Sequence, residues 1–446
     1  MQSAPDRRNA GRAAQSSPRA TSSRPASSWA ADIGAGLTTV GSDNDPSGIA
    51  TYSLAGAWYG YDMLWTCVLT YPSMVALQLV SARVAAVTGR GLTANMRAHY
   101  SPVFFYFAVA RFVIANTLNI AVDVLAMAAA LQRFVPAPPG VLALVCGGAS
   151  IALQWFVPYP RYASVLKWLI LPLLAYAGVM LFVDVPWHTV ALRSVVPHLE
   201  WKEGFATMLM AVLGTTMSPY LLFSQAEQTA QEEHQRPDEQ ARPASGDPRS
   251  PAQLRGSRAQ TLMRTALSSA AALCMMVAAA ATLHGAAAPA GAFPQLAKVL
   301  EPLAGGYAGS LLRLALIGSA LLALPPLAGS AAQAVASSFD WPDGKQRDTR
   351  IAALLVGVAA LGTVLGVALG ISHVDLIKAL YWSAIVNGMT ITPVLVLLVL
   401  LSAKREAVGD MVAHWSLRAL CWLATLLTGA VVVAHFVLEV AQRAGW

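Results

Sequence analysis

Charge is scarce in this chain. Of 446 residues only 12% are Asp, Glu, Lys or Arg, while 56% are hydrophobic. A soluble protein of this length carries about twice that charged fraction. Cysteine is scarce as well. Cys67, Cys146, Cys274 and Cys421 each lie inside an apolar block, none at the spacing of a metal site or a disulfide framework, so they read as small buried hydrophobes. There is no paired His and acid ligand set and no nucleophile with a partnering base; His284 and His373 fall at the ends of apolar blocks. A membrane-embedded enzyme needs such a constellation, so enzymatic function is not expected, nor is any cofactor. The first thirty residues lack the apolar core of a cleaved signal peptide and are rich in Ser, Ala, Pro and Arg, which predicts a disordered basic tail over 1–31.

What is present is length of apolar sequence. With about 20 apolar residues needed per crossing, the blocks divide into eleven spans near 33–57, 62–87, 102–133, 139–158, 163–184, 204–228, 262–285, 304–338, 351–371, 375–402 and 413–441. The expected class is an all-α integral membrane protein lying in the lipid bilayer. The net charge of +7 sits in alternate loops rather than on a nucleic-acid-binding face, so no nucleic-acid partner is expected. Arg7, Arg8 and Arg12, then Arg90 and Arg97, Arg161 and Lys167, Arg236 to Arg258, Lys345 to Arg350, and Lys404 with Arg405 all fall on one side. The positive-inside rule puts that side in the cytoplasm. An N-terminus inside and, after an odd number of spans, a C-terminus outside follow, in the cell (inner) membrane. Residues 229–260 form the one long polar interior loop and read as a flexible cytoplasmic linker; 403–446 holds the eleventh span and a short external end. A monomer is expected.

Two spans are broken. The first contains Asp43-Asn44-Asp45-Pro46-Ser47-Gly48 at its middle. Proline and glycine interrupt helical hydrogen bonding, and each central carboxylate costs roughly 2.5–3.5 kcal/mol on insertion scales, tolerable where the backbone lines a protected polar cavity. The sixth span is interrupted in the same way by Gly214-Thr215-Thr216-Met217-Ser218-Pro219, five spans later. Breaks at corresponding positions of two halves point to a transporter site between inverted repeats, here spans 1–5 and 6–10. Proline kinks alone would not require a site; paired breaks with two acids in one of them favour it. Polar faces agree. Asn116, Asn119 and Asp123 share one face of span 3, and Ser383, Asn387 and Thr390 one face of span 10, although interhelical hydrogen bonding accounts equally well for any single face. Asp45 is the first choice of ligand, since its carboxylate supplies charge where the break frees backbone carbonyls. Asp43 and Asn44 form a second tier, as further metal-binding residues or as vestibule charges and dipoles that draw cations in.

Taken with their context, these segments resemble a known family. DNDPSGIATYSLAGAWYGYDMLW and LQLVSARVAAVTGRGL look like the first two spans of the Nramp divalent metal transporters, GTTMSPYLLFSQ like their sixth span and KALYWSAIVNG like their tenth, in order over residues 32–402. The resemblance implies a LeuT-type fold, two inverted five-helix repeats with broken helices 1 and 6 plus an eleventh helix, and metal bound between the unwound segments. It implies Asp45 and the Thr215 carbonyl as ligands, with Ser218 at the position of a family Met and Gly48 at that of an Asn ligand. Tyr220 and Gln225 replace two His, and Ala126 an acidic residue tied to proton movement, whereas Asp123 is kept. A thioether favours softer metals. Without it, one carboxylate, backbone carbonyls and water suit Mg²⁺ as well as Mn²⁺, a pattern similar to the Nramp-related magnesium transporters. The expected function is transport of divalent metal ions by alternating access without proton coupling, the metal being cargo rather than cofactor. The competing expectation is a carrier of amino acids or other small organic solutes on the same fold, which an Asp-rich break disfavours.

Overall fold

Apolar runs interrupted by Pro, Gly and charged turns give helices throughout the computed structural model, which describes residues 40–157, 159–199, 203–234, 251–285, 293–339, 345–404 and 414–443. The tail over 1–31 and the start of the first span lie outside the described residues. Ten helices among the described residues are long and apolar enough to cross a membrane. They run Leu64–Thr88, Pro102–Leu131, Pro139–Phe156, Arg161–Val179, Gly204–Glu232, Arg258–Leu283, Glu301–Ser338, Gln346–Ile371, Leu376–Ala403 and Trp415–Ala441. The first span adds a helical stretch at 40–43, a break, and Pro46–Tyr59. With it, the eleven expected spans are accounted for, and the chain is an integral multi-pass membrane protein.

The spans differ in how far they are enclosed by protein. Of these ten helices that of the sixth span is the most enclosed, with 83% of its apolar window buried, and that of the ninth the least, with 22%. The broken helices therefore sit inside a shell whose outer members, including the fourth, ninth and eleventh spans, face the surroundings with apolar side chains such as Leu144, Val364 and Leu426. That is the arrangement a bilayer requires, apolar on the outside and polar groups inward.

Packing repeats with a five-span offset. The second half of span 1 lies against span 7, and the second half of span 6 lies against span 2; exchanging each span with its counterpart five places away (1 with 6, 2 with 7) converts the first pair into the second. Spans 3 and 8 pack on each other, as do spans 4 and 9, pairs that the same operation maps onto themselves. Small residues permit the closest approaches. A Cβ on Gly214 would stand 2.3 Å from the Ala384 carbonyl oxygen, and one on Gly388 2.3 Å from that of Met210. Glycine at both positions lets spans 6 and 10 cross backbone to backbone.

Two boundaries differ from expectation. The polar stretch 229–260 is partly helical: the sixth span's second half continues to His234 and the seventh span's helix begins at Pro251, leaving 235–250 outside the described residues. Glu and Gln at the end of one helix and Ala, Gln and Arg at the start of the next are good helix formers, so the helices project beyond the apolar blocks. The fifth span is not uniform either; a 3₁₀ turn over Lys167–Ile170 separates Tyr159–Leu166 from Leu171–Val179. Span 8 passes through Pro325 and Pro326 without interruption.

Candidate metal site

In the first break the leading helix ends at Asp43, and the chain turns at Asn44 and restarts at Pro46. Asp45 holds an extended backbone (φ −61°, ψ 172°) and N-caps the new helix, its Oδ1 accepting from the Gly48 N–H at 2.7 Å. An N-cap side chain satisfies one of the four donors a helix start leaves open. Ser, Thr or Asn would do this without a charge. A buried Asp here, 4% exposed, instead places an anion against the positive end of a helix in the middle of the membrane.

In the sixth break the leading helix ends at Thr216 and the second half starts at Pro219. Ser218 turns its hydroxyl back, donating to the Thr215 carbonyl at 2.9 Å and the Gly214 carbonyl at 3.3 Å. That leaves the lone pairs of the Ser218 oxygen, and a second lone pair on the Thr215 carbonyl, to accept from or coordinate a guest. Met217, between Thr216 and Ser218, is fully buried in an apolar cluster.

The two breaks meet. A Cβ placed on Gly48 would stand 3.0 Å from Thr215 Oγ1 and 3.4 Å from Asp45 Oδ1, so Asp45, Gly48 and Thr215 share one small volume. Two tyrosines tie the breaks reciprocally. Tyr52, from the second half of span 1, is hydrogen-bonded through its hydroxyl to Thr216 Oγ1 at 3.0 Å. Tyr220, from the second half of span 6, donates to the Ser42 carbonyl at 2.7 Å. The residue pattern marks Tyr220 as standing where a histidine is expected; its bond to the first break is not legible there, because nothing in span 6 indicates which carbonyl faces it. Ser47 donates to the Leu380 carbonyl at 2.7 Å, fixing the same break to span 10.

The polar faces of spans 3 and 10 meet each other. Ser383 of span 10 donates a short hydrogen bond to Asn119 Oδ1 of span 3, and Asn116 donates to the Leu327 carbonyl and Ser330 Oγ of span 8, at 3.1 and 3.0 Å. Asp123 is fully buried, neither of its oxygens has a hydrogen-bond partner among the described residues, and it lies within electrostatic range of Asp45. Asn387 Oδ1 is likewise buried without a partner among them, while Thr390 is occupied with the Val386 carbonyl. Buried oxygens without protein partners in a polar core are acceptors for water or a cation. Asn44 stands apart. Its amide donates to the Val40 carbonyl at 2.9 Å and Ser268 Oγ at 3.1 Å, which finishes the leading helix and anchors it to span 7. Gln225 lies about two turns beyond the sixth break, its carbonyl accepting from Thr229.

Comparison with known proteins follows the same line. A family model described as Nramp, natural resistance-associated macrophage protein-like, matches residues 36–438. The divalent metal cation transporter MntH of Burkholderia ambifaria is 25% identical over 389 residues, 86% of this chain and 83% of the relative. MntH of Granulibacter bethesdensis is 24% identical over 409 residues, 88% of this chain and 84% of the relative. Among solved structures, a crystal structure of a variant of the Eremococcus coleocola manganese transporter aligns with a TM-score of 0.71 at 16% identity, over 94% of this chain and 89% of that one. Mhp1, a nucleobase-cation-symport-1 family transporter, aligns with a TM-score of 0.57 at 10% identity, over 93% and 92%. At these identities the structural likeness is one of fold.

Proposed function

The chain belongs to the Nramp family, and on that premise we propose that it carries Mn²⁺- or Mg²⁺-type divalent metal ions across the cell membrane by alternating access, without proton coupling. It is a transporter of divalent metal ions and not an enzyme, and its fold is of LeuT type. The observation that carries the proposal is the buried Asp45 carboxylate capping a helix start at membrane depth, in one small volume with Gly48 and Thr215.

In this reading Asp45 supplies the charge that offsets dehydration, the Thr215 carbonyl and Ser218 hydroxyl supply neutral oxygens, and Gly48 leaves room for a retained water. With no thioether in the set, hard and borderline divalent ions compete on nearly equal terms. Asp123, Asn119, Asn116 and Asn387 form the polar wall along which water or the ion moves. One set of spans rocks against the other around the two breaks, as repeat symmetry permits.

Uptake of Mg²⁺, Mn²⁺, Ca²⁺ and Cd²⁺ into proteoliposomes is the direct test. Mg²⁺ and Mn²⁺ are expected to enter; accumulation of none of the four would end the proposal. The orientation, with the N-terminus cytoplasmic, the C-terminus external and the chain in the inner membrane, rests on the alternation of Arg-rich and Arg-poor loops. A reporter inserted after residue 250 is expected to read cytoplasmic and one after Trp446 external; both on one side would refute it.

A further inference from the structure

Beside the first break lies a polar space in which Asp45 takes no part. A cavity of about 20 Å³ opens between the end of the leading half of span 1, the middle of span 2, the sixth break and span 7; Asp43, Gln78, Thr216, Thr265 and Ser268 are among its polar lining, Thr215 of the first site borders it as well, and Met74, Leu221 and Ala272 close its apolar side. Roughly 10–15 Å³ on this measure accommodates one water, so the cavity has room for one water-sized occupant. Its polar groups form a set. Thr265 Oγ1 donates to Gln78 Oε1 at 3.4 Å, Ser268 Oγ receives the Asn44 amide at 3.1 Å, and Thr216 Oγ1 is linked to the Tyr52 hydroxyl at 3.0 Å. Asp43 supplies the charge. Ser268 and Ser42 lie within hydrogen-bonding reach of its carboxylate, while its buried Oδ1 has no partner of full hydrogen-bond geometry among the described residues.

A carboxylate oxygen left over in a polar cavity calls for a proton, a water or a cation. The remaining donors are neutral amide and hydroxyl oxygens, the set that hard and borderline divalent ions take. Asp43 itself lines the cavity. It belongs to a built pocket on the side of the break that carries the Arg-rich loops.

We propose that this cavity is a second cation site, a transit position for a Mn²⁺-class divalent ion passing between the Asp45 site and the side that carries the basic loops. The inference rests on the metal-carrier reading above and is separable from it. An ion leaving Asp45 meets Asp43 two residues earlier in the chain, across the turn at Asn44, so one break offers two carboxylates in sequence and neither has to release a bare ion into apolar surroundings. Arg264, a helical turn before Ser268, lies within electrostatic range of Asp43. It partly offsets the Asp43 charge, which keeps the second site weak enough to be left.

The test is Mn²⁺ titration of the purified full chain in detergent, with free Mn²⁺ read by electron paramagnetic resonance. Asp45→Asn is expected to retain one bound Mn²⁺, and Asp43→Asn combined with Asp45→Asn to retain none. Gln78→Glu in the Asp45→Asn background adds a second carboxylate to the cavity and is expected to tighten the remaining ion about tenfold, one decade in Kd. An Asp45→Asn protein that binds no Mn²⁺, while the parent binds one, overturns the second site and leaves the carrier reading standing. A parent that binds no Mn²⁺ overturns both. Should the Asp43 variant not fold, Ser268→Ala in the Asp45→Asn background takes its place: weakened Mn²⁺ binding is expected, and unchanged affinity overturns the proposal. If Asp43 served only as counter-ion to Arg264, its replacement would lower thermal stability and leave the number of bound ions as it was, which likewise overturns the proposal.

Discussion

The two breaks are built alike and equipped differently. In each, a helix ends near the middle of the membrane, two residues pass outside helical geometry, and a proline opens the second half. In each, a tyrosine of the second half reaches across to the other span, Tyr52 to Thr216 and Tyr220 to Ser42. The first break, however, carries Asp43 and Asp45, and the sixth carries no charge at all, only Thr215, Thr216 and Ser218. On the function proposed above, the first determines whether a cation binds, and the sixth, by the softness and number of its neutral donors, determines which one. A carboxylate contributes charge that no arrangement of hydroxyls replaces, whereas hydroxyl, carbonyl and thioether exchange for one another with a change of preference rather than a loss of binding.

Removing the charge puts this division under the greatest strain. Asp45→Ala is expected to reduce metal uptake to the background of empty liposomes while the protein still inserts. Loss of the helix cap costs about 0.5–2 kcal/mol, too little to unfold an eleven-span bundle, and monodisperse elution in detergent checks that. Uptake at the parent rate would move the site away from the first break.

Changing a neutral donor in the sixth break is expected to have a smaller, directional effect. Ser218→Met introduces a thioether into the sixth break and removes the hydroxyl that bonds to the Gly214 and Thr215 carbonyls. Competition of Cd²⁺ against Mn²⁺ uptake should shift several-fold toward Cd²⁺, with Gly48 limiting the gain because a ligand side chain is missing there. An unchanged ratio means that Ser218 does not face the ion.

These roles are unequally legible in the amino-acid sequence. Membrane class, span order and both breaks follow from apolar length and from Pro and Gly, whose effects are local. The facing of spans 3 and 10 is legible as two polar stripes of helical period, and Asn119 does meet Ser383. Within a break no period exists, so the direction in which Asp43, Asn44 and Asp45 point has no signature in the residue order. Their partners come from far along the chain; Asn44 reaches Ser268, 224 residues later. The same holds for Tyr220. The helical ends of the 229–260 stretch are obscured because polar helix formers outside the bilayer look like linker.

A smaller effect still is expected from the reciprocal tyrosines. Tyr220→Phe removes one hydroxyl bond to the Ser42 carbonyl, worth about 1 kcal/mol net, and keeps the ring. The melting temperature in detergent should fall slightly and the transport rate change by a few-fold at most, with metal preference untouched. A changed Cd²⁺ to Mn²⁺ ratio would bring Tyr220 into the ligand set and blur the division between the breaks.

The last expectation is an absence of effect. Metal uptake should not acidify the lumen of liposomes that receive the ion. If charge resides in the first break alone, the sixth break itself has no group to pass a proton along. Ala126 carries no titratable group, Gln225 does not titrate, and Tyr has a reference pKa near ~10; the Tyr220 hydroxyl is moreover committed to Ser42. Asp123 is the one acidic side chain on the polar face of span 3, and a single group makes no relay. The membrane potential then has to drive entry, and for a divalent ion with the interior negative it supplies about 4.6 kcal/mol per 100 mV, twice the value for one charge. That sustains a gradient of roughly three decades for an abundant hard ion, at about 1.4 kcal/mol per decade. The measurement is metal uptake and internal pH recorded together under a clamped potential. Acidification in proportion to uptake would assign a proton to Asp123 or Asp45, and its loss in Asp123→Asn with uptake retained would identify Asp123 as the carrier.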